Sequence, residues 1–279
     1  VWVNSAALRR AGITAATPDV PGGVIERDAD GEPTGVLHEN AVDLVARVYP
    51  KPAVTDTTAA VLAATPGMWQ TGIVALHNAN DSEDGLSFRT YQALRSEGRL
   101  GLRVVQHIPV CNLAHAAALG LRSGLGDAWL RVGGVKMFAD GALGNRTASM
   151  LQPFTGEPDN WGVPTTDPEE MLELALTASA AGLSLTIHAI GDRANRDVLN
   201  VLAEVRRQEA LHGSAPHLRH RIEHVQVIHP ADLPRLAALD VLASVQPIHA
   251  TSDMLIVDRF WGPERAPGAR NQVRRSHHG

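Results

Sequence analysis

Three residues carry most of the chemistry available to this sequence: Lys136, His188 and His224. Each closes a short apolar run. Val132-Gly133-Gly134-Val135-Lys136-Met137-Phe138 leads into a polar turn at Asp140-Gly141 and Gly144; Leu183-Ser184-Leu185-Thr186-Ile187 leads to His188, and Arg221-Ile222-Glu223 to His224. Lysine is costly to bury unless it is paired or modified. Lys136 therefore has three readings. It is an amine of lowered pKa that takes up carbon dioxide as a carbamate and so becomes an oxygen ligand able to bridge two metals; a Schiff-base amine; or a cation paired with Asp140. Two strand-end histidines on neighbouring strands can share a metal, each giving one ring nitrogen at about 2.0–2.1 Å to zinc.

Such groups need strands that end together. Apolar spacing predicts strands over 72–77, 102–108, 130–138, 183–187, 219–223 and 241–245, alternating with helices over 55–70, 82–97, 113–122, 168–181, 194–207 and 230–239. Pro66-Gly67 should break or kink the first of these helices. Asp167-Pro168 supplies an N-cap and a first-turn proline to the helix after the long 139–166 connection. Before Thr55 lie a helix over 5–12 with Ser5 as its cap, a hairpin of 24–27 with 34–37, and a return to helix over 38–48. The alternation argues for a parallel α/β fold. Polar residues recur at one end of the strands: His77, Lys136, His188, His224, and Gln246 with His249. That is the pattern of a (β/α)8 TIM barrel, not of an open sheet with one switch point. About six of eight strands are expected here. The chain divides into an excursion (1–50), a barrel core (51–268) and a divergent, disordered tail (269–279).

Composition agrees with a single large α/β domain. The 279 residues are 44% hydrophobic and 20% charged with net charge −5, so no nucleic-acid or anionic membrane partner is expected. The one cysteine, Cys111, excludes an internal disulfide and a thiolate cage, and suits a cytoplasmic location. Neither an apolar membrane span nor a signal peptide is visible. The opening at Val1 and the polar, aperiodic end suggest a piece of something longer.

The stretch Gly134-Val-Lys-Met-Phe-Ala-Asp-Gly-Ala-Leu-Gly-Asn-Arg-Thr-Ala148 resembles the amidohydrolase superfamily, and more narrowly amidohydrolase family 3, the branch that includes N-substituted formamide deformylase. In family order come also Trp2-Val3-Asn4-Ser5-Ala6-Ala7-Leu8, Gly31-Glu32-Pro33-Thr34-Gly35-Val36-Leu37, Ile187-His188-Ala189-Ile190-Gly191-Asp192-Arg193-Ala194, Arg221-Ile222-Glu223-His224-Val225-Gln226 and Ser244-Val245-Gln246-Pro247-Ile248-His249. The resemblance implies a metal-dependent hydrolase on a (β/α)8 barrel with a small β-sandwich built from the termini. It implies His188 and His224 as metal ligands on the barrel's fifth and sixth strands, and Lys136 on the fourth as the bridging or metal-proximal residue. His249 would lie near the substrate; Asp140 and Arg146 are read as substrate-binding residues that shape the loop there, or as structural. One or two divalent ions are implied, zinc being the default. The family's first-strand His-x-His pair and the aspartate after its eighth strand have no counterpart here, as expected of a chain truncated at both ends.

The favoured function is hydrolysis of a carbon–nitrogen bond of the amide or formamide type, in a small non-peptide molecule, by metal-activated water. Two alternatives stand beside it: a non-catalytic fragment of such an enzyme, and a metal-free Lys136 Schiff-base lyase or aldolase. A homo-oligomer is left open. His77 and His107 read as supporting or structural, and Asp192-Arg193 as the start of the following helix.

Overall fold

A computed structural model describes residues 1–212 and 218–262. It opens with α1 (Ser5–Ala11), an antiparallel hairpin of β1 (Gly23–Arg27) and β2 (Pro33–Glu39), and α2 (Asp43–Ala46). The Asp28 carboxylate closes the hairpin turn by accepting the Asp30 and Glu32 N–H groups, as short Asx turns do. Val3, Leu8, Ile25, Leu37 and Val45 give this module a small core of its own. Two expectations are corrected here. Asn4, not Ser5, caps α1 by accepting the Ala7 N–H at 3.0 Å. The helix expected from His38 starts later, because His38 and Glu39 still pair with Val24 and Gly23.

The alternating region follows: α3 (Val54–Gln70), β3 (Ala75–Asn78), α4 (Leu86–Ser96), β4 (Arg103–Pro109), α5 (Leu113–Ala118), β5 (Leu130–Phe138), α6 (Pro168–Ala180), β6 (Leu185–Ala189), α7 (Asp192–His212), β7 (Arg221–His224), α8 (Leu233–Ala238) and β8 (Leu242–Ser244). Two short helices, α9 (Ile248–Ser252) and α10 (Met254–Phe260), come after β8 and have no counterpart in the sequence reading. The expected break at Pro66 does not occur. A proline removes one helical hydrogen bond, and Val61, Leu62 and Met68, on either side of it, pack against a core that includes Tyr91, Leu94 and Leu102, which holds α3 as one continuous helix. The helix expected from Ser82 begins instead at Leu86, where the preceding Asp81 accepts the Ser87 and Phe88 N–H groups at 2.8 and 3.0 Å. At α6 the expected cap is found: Asp167 accepts the Glu169 N–H at 2.9 Å and Pro168 takes the first turn.

The six strands β3 to β8 are all parallel and lie side by side in chain order. The sheet is strongly curled. Arg221 of β7 reaches His77 of β3 at 3.2 Å, although three strands lie between them. The architecture is thus an α/β half-barrel with helices on its convex side. Val135 and Met137 of β5, Leu185 and Ile187 of β6 and Ile222 of β7 pack outward against Ala175 of α6 and Leu199 and Leu202 of α7. Strand side chains alternate between faces, so Lys136, Phe138, Thr186, His188, Arg221 and Glu223 point into the concave side. The tail expected over 269–279, and residues 263–268 of the expected core, lie outside the described residues. Among the described residues no helix is long and apolar enough to cross a membrane.

Candidate active site

Lys136 is two residues from the end of β5, opposite Pro109 of β4 and Thr186 of β6. It is only 6% exposed. Its Nζ donates to the Met137 carbonyl at 2.9 Å and lies 3.6 Å from the centre of the Phe138 ring. It forms no ion pair with Asp140, so that reading of Lys136 is not what the structure shows. Burial, assisted by Arg221, lowers the Lys136 amine from 10.5 to about 7 against the attraction of Glu223. Near neutrality a large share of this amine is unprotonated, the form that attacks carbon dioxide or a carbonyl.

His188, opposite Phe138 in the sheet, sits on the next strand exit. Its Nε2 meets the Gly141 carbonyl at 2.8 Å and the Asp140 carboxylate at 3.4 Å. A carbonyl only accepts, so Nε2 carries the hydrogen and Nδ1 keeps its lone pair free. Burial drives the imidazole down to about 3, which keeps it neutral. Alternation along β7 would send His224 outward with Ile222. Instead the backbone turns left-handed at His224 (φ 76°) and Val225 (φ 46°), a costly conformation for such residues. The turn swings the His224 ring onto the concave side, 4.6 Å from the His188 ring in a T-shaped contact. The Gln246 amide donates to the Ser244 carbonyl, so its oxygen faces His224 Nδ1 at 2.6 Å. Nδ1 is then the donor, and Nε2 is left free. Burial lowers His224 as well.

His249 joins the group from α9, its ring 5.6 Å from that of His224. Its Nδ1 is held at 2.9 Å by Asp253, which also accepts from Gln226 at 2.7 Å. Asp253 and Gln226 are site residues that the sequence reading missed. The four-residue step from His249 to Asp253, one helical turn, is the signal that could have found the first of them. Asp140 does not face the concave opening. It is 1% exposed, and its oxygens accept the N–H groups of Ser149, Ile190 and Gly191 at 2.8, 2.9 and 2.8 Å. Burial pushes its carboxyl up to about 7 against those three donors. Arg146 lies apart from the group, paired with Glu157 and stacked over Phe260.

Below the site lies a second polar layer. His107 accepts the Gly134 N–H at its Nδ1 (3.0 Å), contacts Thr186 Oγ1 at 3.1 Å, and meets His77 through Nε2 at 3.1 Å. A Cβ on Gly133 would come within 2.7 Å of the His107 ring, so a glycine is what lets the ring lie against β5. Arg221 pairs with Glu223 at 2.6 Å and donates to Ser244 at 2.7 Å. A cleft of about 1070 Å³ opens between the N-terminal module and the segments after β3, β4 and β5, with Glu39, Tyr49, Cys111, Phe138 and Asn145 on its walls.

A curled parallel sheet thus brings a lysine and two histidines to three neighbouring strand exits. The chain belongs to the amidohydrolase family, whose model matches residues 1–276. A putative amidohydrolase of Bacillus subtilis, YtcJ, is 33% identical over 267 residues, 93% of this chain and 48% of that protein. The N-substituted formamide deformylase of Arthrobacter pascens is 30% identical over 249 residues, 86% of this chain and 44% of that protein. The crystal structure of an uncharacterized metal-dependent hydrolase from Pyrococcus horikoshii OT3 superposes with a TM-score of 0.74 at 26% identity, covering 98% of this chain and 52% of the other. The chain spans about half the length of the curated relatives it matches.

Proposed function

We propose that this chain carries the strand-exit half of a metal-dependent hydrolase that opens carbon–nitrogen bonds of the amide or formamide type in small, non-peptide molecules. The observation that supports it is the state of the two facing imidazoles. Each is neutral, each has one nitrogen tied to an oxygen acceptor, and each has the other nitrogen free: Nδ1 in His188 and Nε2 in His224. That is the condition in which imidazole binds a divalent cation, the partner on the tied nitrogen fixing the tautomer. Among the described residues no group of three or more His, Cys, Asp or Glu is arranged around a common point. The two imidazoles with Lys136 are thus a partial donor set, which fits a cation completed by further oxygen or nitrogen donors. Zinc, as one ion or two, suits such donors. An ion held there would supply Lewis-acid chemistry, polarising the scissile carbonyl and lowering the pKa of water.

The residues of this chain do the rest. Lys136, with its amine near neutrality, is in the state needed to form a carbamate and become an oxygen donor. Asp140 and Gly141 fix the His188 ring. His249, oriented by Asp253, presents its free Nε2 beside His224 as an acceptor and so can take a hydrogen bond from a substrate N–H. The cleft above Phe138 takes the body of the substrate. Arg146, tied to Glu157, shapes the loop around it. A cytoplasmic setting suits the single, exposed thiol of Cys111.

Elemental analysis of the purified chain beside a His188→Ala/His224→Ala variant tests this reading. Tightly held metal in the first and none in the second is expected; equal content in both would end it. A Schiff-base reading draws on the same lowered amine, and borohydride trapping with a panel of carbonyl compounds separates it from the hydrolase.

A further inference from the structure

We propose that Glu39, on the N-terminal hairpin, is a positioning residue for His188, and so couples the roof of the cleft to the metal-facing imidazole. Three observations carry it. The Glu39 backbone is left-handed at φ 45° and ψ −126°, a region that favours glycine and that other residues occupy at a cost. The side chain of this strained residue reaches across to the loop after β5, where Thr147 Oγ1 donates to its Oε1 at 2.6 Å. The two side chains close over Gly141: a Cβ there would lie 2.1 Å from Thr147 Oγ1 and 2.4 Å from Glu39 Oε1.

The linkage runs on from there. Thr147 Oγ1 accepts the Ala142 N–H at 3.0 Å, while the Thr147 N–H donates to the Ala142 carbonyl at 3.0 Å. This ring of bonds closes the 141–147 turn and aims the Gly141 carbonyl at His188 Nε2, 2.8 Å away. Asp140 pins the same loop from its other side through Ser149, Ile190 and Gly191. With Glu39 and Asp140 both in place, the Gly141 carbonyl is fixed, Nε2 keeps the hydrogen, and Nδ1 faces the site. Without the Glu39 acceptor, the buried Thr147 hydroxyl keeps only the Ala142 carbonyl, 3.4 Å away, and the Gly141 carbonyl loses its aim. A carboxylate that only closed the hairpin would have no reason to reach residue 147.

The inference bears on the proposed function through His188, but its test reads the metal-free chain, so either can fail alone. The full chain is labelled with 15N-histidine, and His188 is identified by its loss in His188→Gln. Long-range proton–nitrogen correlation spectra then give the tautomer and the Nε2–H exchange rate. Wild type is expected to show a neutral ring protonated at Nε2 with slow exchange. Glu39→Gly and Thr147→Val are expected to mix the tautomers and speed exchange at least tenfold. Glu39→Gln and Thr147→Ser, which keep the acceptor and the hydroxyl, should stay near wild type. The thermal midpoint of Glu39→Gly should hold or rise, since glycine relieves the left-handed backbone; a merely structural side chain would lower the midpoint and leave His188 unchanged. If Glu39→Gly does not fold, Thr147→Val carries the test. Unchanged His188 signals in the folded disrupting variants would overturn the proposal, as would a Glu39→Gln chain as disturbed as Glu39→Gly.

Discussion

Two layers of histidines and cations line the concave side of the same sheet, and they differ in one respect. In the lower layer His107 and Arg221 are spent on their neighbours. His107 uses both ring nitrogens, on Gly134 and Thr186 at one side and His77 at the other, and Arg221 is divided among Glu223, Ser244 and His77. In the upper layer His188, His224 and His249 each use one nitrogen and keep one. Residue types are nearly the same in both layers. A satisfied buried network rigidifies the fold; a nitrogen held in a known tautomer with its lone pair exposed does chemistry. What separates support from site is the unspent valence.

Removing both upper imidazoles gives the largest effect that follows from this contrast. The chain with His188→Ala and His224→Ala should lose all tightly held metal, while its urea midpoint stays close to that of the metal-free parent. A collapse of the fold instead would mean that the upper layer, too, is structural.

The lower layer should behave in the opposite way. Glu223→Ala leaves Arg221 without its 2.6 Å partner, and breaking a largely buried pair costs about 3–5 kcal/mol. Urea unfolding of the metal-free chain should show that loss. A change below about 1 kcal/mol would place the pair in effective contact with solvent.

Lys136 belongs to the upper layer but is buried like the lower, and pH tells which matters. Its amine falls from 10.5 to about 7 on folding. Below pH 7 it is protonated in both states and the full burial penalty is present. Between pH 7 and 10.5 the unfolded chain binds the extra proton, so stability rises with pH and the penalty fades. Lys136→Met should therefore stabilise the metal-free chain below pH 7, on the order of a few kcal/mol. The advantage should shrink through that window. An advantage independent of pH would show that Lys136 keeps an ordinary pKa.

Arg146 stands outside both layers. Its pairing with Glu157 is half-exposed, and such pairs contribute about 0–1 kcal/mol. Arg146→Ala should leave unfolding and metal content within error. A marked loss of metal would bring Arg146 into the site.

Much of this was legible in the sequence. Apolar runs interrupted at regular intervals located all six parallel strands, and Lys136, His188 and His224 stood at their exits. The errors have physical causes. Pro66 lies in α3 unbroken because packing on Leu94 and Leu102 outweighs one lost hydrogen bond. In the sequence alone Asp140 reads as shaping the substrate loop or as structural; the structure shows it held by three backbone N–H groups, two of them from the exit of β6, fifty residues on in the chain. Gln226 and Glu39 were missed because each acts through a partner remote in the chain, and Asp253 because α9, which sets it one turn from His249, had no counterpart in the sequence reading.

The sequence by itself determined the class of fold, the family and the three strand-exit residues, since those depend on local periodicity and short motifs. Only the tertiary structure decided which nitrogen of each imidazole is free. That choice rests on the Gly141 carbonyl, the Gln246 amide and the left-handed turn at His224, and these come from segments that meet only when the sheet curls.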